Sequence, residues 1–200
     1  MTDRMRSITV VTIMVVLLAA LLMSACQEAD SGAGAVALES YEVMATLDME
    51  KHADFMHPDA LQQLKDRLWP ALDAAVAADS TAAQSPLVMT LGLTIEDGKL
   101  VDLPARQLYV NLMKMVVAQS PNLANSLQSS AYEVIGEVLE GENLSHVVMR
   151  ARSIARPESL SRVEVVTLMK YEDGWKLALS PELEGMAIGM ANMLVQPRNG

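Results

Sequence analysis

The stretch RVEVVTLMKYEDGWKLALSPE (162–182) carries the clearest fold signals of this 200-residue chain. Two strand-like segments, 162–171 and 175–180, flank an Asp-Gly pair at 173–174. An Asp-Gly pair is typical of a type I′ hairpin, because both central residues of that turn need positive φ. The Ser-Pro-Glu run at 180–182 is typical of a helix start, with a capping hydroxyl, a proline and an early acid. The stretch therefore predicts an antiparallel hairpin followed by a C-terminal helix.

Upstream of this hairpin, the chain changes from helical periodicity to alternation. Residues 132–140 and 144–154 alternate as strands do, whereas residues 36–56, 58–78 and 104–119 carry apolar side chains at steps of three and four. The order is helices, then a meander of about four strands, then one helix. This order predicts an α+β domain in which the N-terminal helices pack on the apolar face of a curved antiparallel sheet.

Two stretches resemble a known superfamily. FMHPDALQQLKDRLW (55–69) and VVTLMKYEDGWKLAL (165–179) are similar to segments of nuclear-transport-factor-like proteins, in which helices wrap a curved sheet into a cystatin-like cone. The resemblance covers residues 36–180, and the helix after Ser180 is a departure from it. It implies a domain with a natural cavity. The superfamily includes isomerases, dehydratases and non-catalytic binding modules, and no catalytic motif of these enzymes can be matched here, so the resemblance assigns no reaction.

The N-terminal region predicts where in the cell the protein is located. Basic residues precede an apolar run at 8–23, and small residues then lead to Cys26, the only cysteine. This order is typical of a secretory signal peptide, and the run is shorter than the roughly 20 residues of a comfortable membrane span. LMSAC (22–26) resembles the bacterial lipobox. That resemblance implies cleavage before Cys26 and attachment of fatty acyl chains to it. An uncleaved span or a plain leader is the alternative.

The segments after the predicted cleavage site complete the domain organisation. Residues 1–25 are predicted to be the signal peptide, residues 26–35 a small, polar, flexible tether, and residues 36–200 one domain. Gln27, rather than aspartate, follows the cysteine. In lipoproteins of double-membraned bacteria this implies the outer membrane, facing the periplasm.

Charge and cysteine usage exclude several functions. Removing residues 1–25 takes away Asp3, Arg4 and Arg6, and leaves 13 Lys and Arg against 24 Asp and Glu, a net charge of −11. Phosphates would be repelled by such a chain, so nucleic acid is not an expected partner. Lipid attachment consumes Cys26, which leaves neither a disulfide nor a thiolate for chemistry.

Four residues are candidates for a pocket: His146, Arg150, Tyr132 and Trp175. His146 and Arg150 share one side of the second predicted strand and could form a polar cluster. The alternative is a solvent-facing strand surface whose bases oppose the acids Glu133 and Glu137 of the first strand. No second catalytic partner is visible for His146, so no catalytic residue is predicted.

A methionine and histidine group is a candidate metal site. Met49, His52, Met56 and His57 lie at helical spacing, and thioethers with imidazole are ligands that Cu(I) prefers. Further methionines lie at 186, 190 and 193. The alternative is that methionine fills irregular core space in a chain with a single phenylalanine. The sequence favours the core interpretation, and neither a metal nor a cofactor is predicted.

These observations predict a lipid-anchored cell-envelope protein that acts as a non-catalytic binding or interaction module. It would be held to the membrane by the lipid on Cys26, and would engage another envelope protein or a small apolar ligand. The alternative is a small-molecule-binding cone protein with weak isomerase- or hydrolase-like activity. An open cavity lined by His, Tyr or Asp would favour a small-molecule pocket, whereas a packed interior with an exposed apolar patch would favour a protein partner.

Overall fold

The computed structural model describes residues 32–78, 86–154 and 161–195, and the part of the chain from Gly32 onward forms one compact unit. The helices are α1 (Ala33–Ala45), α2 (Met49–Ala53), α3 (Pro58–Ala78), α4 (Pro86–Thr90), α5 (Ala105–Gln119), α6 (Pro121–Gln128) and α7 (Pro181–Val195). The strands are β1 (Ile95–Glu96), β2 (Lys99–Leu100), β3 (Ser130–Glu140), β4 (Leu144–Ser153), β5 (Arg162–Tyr171) and β6 (Gly174–Leu177). The predicted α+β class, with N-terminal helices, a four-stranded antiparallel sheet and a C-terminal helix, is confirmed. In these ranges, no helix has the length and apolar character that a membrane span needs.

The main sheet has the strand order β3-β4-β5-β6, and the described helices pack on its inner face. Ser145, Val147 and Met149 of β4 are buried and define the inner face. Helix α1 crosses this face and contacts all four strands. Leu144, His146, Val148 and Arg150 alternate with the buried residues and define the outer face, which stays at least partly open to solvent.

Helix α3 carries the apolar stripe that its sequence predicts. Five residues are buried along its length, separated by one step of three and three steps of four: Leu61, Leu64, Leu68, Leu72 and Val76. The stripe contacts α5 and α7, so the C-terminal helix returns to pack beside the N-terminal ones. An Arg67–Glu184 ion pair of 2.5 Å joins α3 to α7 at the surface.

The predicted helix over 36–56 is two helices. The chain leaves α1 after Ala45, and Leu47 adopts a left-handed backbone with φ of 61°. Asp48 then starts α2, because its side chain accepts the N–H of Lys51 at 3.0 Å as an N-cap. The break redirects the chain, and side chains of both helices line the same cavity.

The domain begins before residue 36, so the predicted tether is too long at its C-terminal end. Ala33 and Gly34 are buried in the first turn of α1. The Gly34 N–H donates to Glu137 Oε2 at 3.1 Å, and a Cβ at this glycine would lie 3.3 Å from the same oxygen. The small residues here permit close packing against β3. Residues 1–31, which include Cys26 and the rest of the predicted tether, lie outside the described residues.

The hairpin between β5 and β6 is present, but its turn differs from the predicted one. Tyr171 pairs with Gly174, so Glu172 and Asp173 are the central residues. Positive φ occurs at Glu172, where φ is 52°, and at neither Asp173 nor Gly174. The glycine therefore belongs to the strand.

A β-bulge changes which residues of β3 share a face. Val134 pairs with Met149 and Gly136 pairs with Val148, so Ile135 is an extra residue in this strand. Simple alternation places Tyr132, Val134 and Val138 on one side, which is wrong for Val138. Beyond the bulge, Val138 pairs with His146 on the outer face.

Candidate functional site

A cavity of about 260 Å³ lies between the inner face of the sheet and the helices. Its walls come from α1 (Tyr41, Met44), α2 (His52), Met56, α5 (Tyr109, Met113, Val116), the sheet (Val166, Leu177), and the segment from Ala178 into α7 (Ser180, Glu182, Leu183, Met186). Most of these side chains are apolar. The cavity therefore has the composition of a small-molecule pocket, in which apolar walls surround a few polar groups.

Four methionines from four separate segments reach this cavity: Met44, Met56, Met113 and Met186. Met56 is held in place because its neighbours extend the sheet. The Leu177 N–H donates to the Phe55 carbonyl, and the His57 N–H donates to the Leu177 carbonyl, each at 2.8 Å. Methionine side chains are flexible and polarisable, so a wall built from them adapts to apolar ligands of different shape.

His52 is a deeply buried polar residue of the wall, with 1% of its surface exposed, as is Tyr109. Its Nδ1 lies 2.7 Å from the Tyr109 hydroxyl oxygen. Its Nε2 is the one buried side-chain nitrogen or oxygen in the described ranges that has no hydrogen-bond partner. Burial lowers the pKa of His52 to about 4. The imidazole is therefore neutral at physiological pH, because its charged form would lose its hydration.

Tyr109 holds His52 from the opposite helix. It lies in the buried stripe of α5, between Leu108 and Leu112, and its ring is nearly parallel to the imidazole, with a centroid separation of 5.9 Å. Burial raises the pKa of the Tyr109 hydroxyl, so it stays protonated. The tyrosine thus fixes the imidazole by one hydrogen bond, and a buried tyrosine of this kind needs such a partner for its hydroxyl.

The start of α7 forms the solvent edge of the cavity. Ser180 and Glu182 are exposed, in contrast to His52 and Tyr109. The Ser180 hydroxyl accepts the N–H of Leu183 at 3.2 Å, which agrees with the capping role predicted for this serine. The Glu182 carboxylate therefore places negative charge where a ligand would enter.

The structure does not bring together the four residues predicted for a pocket. His146 and Arg150 lie on the outer face of β4, whereas Tyr132 and Trp175 lie on the inner face of β3 and β6. None of the four belongs to the cavity wall. Tyr132 comes nearest, since its ring lies 5.0 Å from that of Tyr41, which does line the cavity.

The polar groups of the outer face pair across strands, as the alternative interpretation predicts. Arg150 and Arg152 both bind Glu133, at 2.7 and 2.8 Å. His146 bonds through Nδ1 to Thr167 at 3.0 Å and through Nε2 to Glu140 at 2.9 Å. Glu137, the second acid expected on this surface, lies on the inner face instead because of the bulge, and accepts the Ser145 hydroxyl at 3.1 Å.

The structure separates the methionine and histidine residues of the candidate metal site. His52 and Met56 line the cavity, whereas Met49 and His57 do not. His57 Nδ1 accepts the Asp59 N–H at 3.1 Å, and its ring packs edge-on against Tyr171. Of the C-terminal methionines, Met186 lines the cavity and Met193 is exposed. Across the described ranges, no three His, Cys, Asp or Glu residues lie together as metal ligands would.

Sequence reasoning missed Tyr41, Met44, Tyr109 and Met113 as site residues. The available signal was Tyr109 itself, a hydroxyl on the apolar stripe of a helix, which requires a buried hydrogen-bond partner. Nothing in the sequence pairs it with His52, because the two residues lie 57 positions apart.

The outer face also carries exposed apolar side chains. Val138, Val163 and Val165 are 60%, 53% and 62% exposed. Val148, between them on β4, pairs directly with Val165. The molecule thus combines an internal cavity with an apolar strip on the side of the sheet away from the helices.

Comparisons with protein-family models, with known proteins and with solved structures found no match to this chain. The likeness to nuclear-transport-factor-like proteins and to lipoproteins stays a prediction from the quoted residues.

Proposed function

We propose that this protein is a lipid-anchored, non-catalytic binding protein of the cell envelope that holds a small apolar molecule in its cavity. The observation that carries the proposal is the cavity of about 260 Å³, walled by four methionines and by His52, Tyr41 and Tyr109. The presence of His and Tyr in an unfilled interior is the feature expected of a pocket protein rather than of a purely structural core.

The state of the polar groups supports binding rather than catalysis. A general base works best when its pKa is near the ambient pH, and burial places the pKa of His52 at about 4. Burial also raises the pKa of Tyr41 and of Tyr109, so neither gives up a proton readily. The neighbouring Glu164 carboxylate raises the pKa of Tyr41 further.

The test of the pocket uses protein labelled at its methionine methyl groups. An apolar probe such as ethylbenzene should shift the NMR signals of Met44, Met56, Met113 and Met186. It should leave those of Met89 and Met193, each 69% exposed, unchanged. A Met113→Trp substitution places a larger ring in the cavity and should abolish these shifts, whereas Met193→Trp should not. Equal shifts at cavity and surface methionines would contradict the proposal.

The proposed membrane anchor rests on the sequence around Cys26. Replacing Cys26 by Ala should abolish incorporation of labelled palmitate and leave the leader uncleaved. Replacing the neighbouring Gln27 by Asn should keep both. Palmitate incorporation that persists in the Cys26→Ala protein would contradict the lipid anchor without touching the cavity.

A second candidate function is contact with another envelope protein, and the exposed valines of the outer face favour it. A photo-crosslinking residue at Val165 should then capture a defined partner in intact cells, and one at the exposed Gln63 of α3 should not. The Val163→Lys substitution should remove the crosslink. Capture that is equal at both positions, or unaffected by the lysine, would rule this surface out.

A further inference from the structure

We propose that the ligand of this cavity is an uncharged molecule that presents one hydrogen-bond acceptor, such as a ketone or ester oxygen, to the Nε2–H of His52. The inference rests on the proposed binding function and names the chemical class that the site selects. Its starting point is the buried Nε2 atom, which lacks a partner in a side chain that lines the cavity. This atom has almost no accessible surface, so the ligand reaches it as the flexible side chains of the wall shift aside. A buried polar atom of this kind costs about 1–3 kcal/mol when it stays unpaired.

The hydrogen-bond network assigns the proton to Nε2. A neutral imidazole has one donor nitrogen and one acceptor nitrogen. Within the described ranges, the Tyr109 hydroxyl bonds only to His52 Nδ1. If Nδ1 carried the proton, the tyrosine hydrogen would have no acceptor. With the proton on Nε2, the tyrosine donates to Nδ1 and is satisfied, which leaves Nε2–H as the single unmet group, a donor.

The other polar groups of the wall do not compete for this acceptor. The Tyr41 hydroxyl lies beside the Glu164 carboxylate, and the Ser180 hydroxyl is exposed at the solvent edge, where water can satisfy it. Around His52 the lining is methionine, leucine, valine and tyrosine ring. A ligand that matches the side chains of the cavity wall is therefore apolar except for one hydrogen-bond acceptor.

Charge at the entrance restricts the ligand further. Glu182 stands exposed at the cavity edge, and the chain carries 25 acidic against 15 basic residues. A carboxylate ligand would be repelled there, and would meet in His52 a neutral ring rather than an imidazolium. An uncharged carbonyl compound avoids both costs.

The experiment compares three probes of similar size on the purified full-length protein: acetophenone, ethylbenzene and benzoate. Acetophenone has a carbonyl where ethylbenzene has a methylene, so the pair isolates one acceptor. Acetophenone should bind roughly tenfold more tightly than ethylbenzene, as one satisfied hydrogen bond allows. Benzoate should bind more weakly than acetophenone. In the His52→Leu variant, acetophenone and ethylbenzene should bind alike.

A second measurement keeps the inference falsifiable if the variant does not fold. Nitrogen-15 spectra of the unmodified protein should show His52 as the Nε2–H tautomer, and acetophenone, not ethylbenzene, should shift its Nε2 signal. Equal affinity for the two probes, or an Nδ1–H tautomer, would overturn the inference and leave the apolar pocket standing. If neither probe shifts the cavity methionines, the proposed function itself fails. If silver ion binds these methionines and the carbonyl probe does not, the site is a thioether metal site and the inference is wrong.

Discussion

At the scale of single residues, the His52–Tyr109 pair decides the character of the interior. Two polar side chains are buried together, 2.7 Å apart, in a wall that is otherwise apolar. One hydrogen bond satisfies the Tyr109 hydroxyl and one of the two imidazole nitrogens, Nδ1. In the proposed site, the Nε2–H of His52 donates one directional hydrogen bond to the ligand. A single unmet polar group discriminates between ligands more sharply than additional apolar area does.

His52 should also make stability depend on pH. Its pKa is about 4 in the folded protein and about 6.5 in an unfolded chain. Above pH 6.5 the imidazole is neutral in both states. As the pH falls from 6.5 to 4, His52 becomes protonated in the unfolded chain but stays largely neutral in the folded protein. The free energy of unfolding therefore decreases by roughly 3 kcal/mol.

Denaturant unfolding at several pH values tests this dependence. The His52→Leu variant should lose less stability across this window than the unmodified protein does. The Tyr109→Phe variant keeps a buried His52 and should retain the dependence, since burial is its cause. The same pH dependence in His52→Leu and in the unmodified chain would show that other groups are responsible.

At the scale of elements, turns and bulges decide where side chains point. The bulge at Ile135 moves Val138 to the outer face and turns Glu137 inward to meet Gly34 and Ser145. The left-handed Leu47 separates α1 from α2, and this break allows both Met44 and His52 to reach the same cavity. Neither feature follows from apolar periodicity, because each depends on one backbone conformation.

The β5–β6 turn provides a prediction at this scale. Glu172 is exposed and adopts φ of 52°, a conformation that asparagine tolerates better. The Glu172→Asn substitution should raise the free energy of unfolding by about 0.5–1 kcal/mol. The matched Asp173→Asn substitution should have little effect, because φ at Asp173 is not positive. Urea unfolding compares the two variants, and an equal change in both would contradict a backbone cause.

At the scale of the whole molecule, the sheet separates two environments. Val147 of β4 is fully buried on the inner face, whereas Val165 of β5 is 62% exposed on the outer face. Valine to threonine changes the shape little and adds a hydroxyl, so the two positions should respond very differently.

The Val147→Thr substitution should destabilise the protein by about 1–3 kcal/mol, because the new hydroxyl would be buried without a hydrogen-bond partner. The Val165→Thr substitution should change stability by less than about 0.5 kcal/mol. Thermal and urea unfolding of both variants measure the difference. A large loss from Val165→Thr would mean that the outer face is covered in solution, which would support the interaction function over an open surface.

The sequence by itself determined the α+β class, the positions of the four main strands within a few residues, and the buried stripe of α3. Apolar periodicity and helix-start chemistry are local, and a chain segment carries them wherever it folds. The proposed lipidation of Cys26 likewise rests on a short contiguous motif, LMSAC (22–26).

Only the tertiary structure decided which residues form the site. The cavity joins α1, α2, α5, the sheet and α7, and its defining pair is separated by 57 positions. His146 and Arg150 looked like site residues because they are polar and close in sequence, yet cross-strand pairing turns them to the outer face. Which side of a strand faces the core depends on register, bulges and the helices that cover it, and these are set by contacts between distant segments rather than by the local pattern.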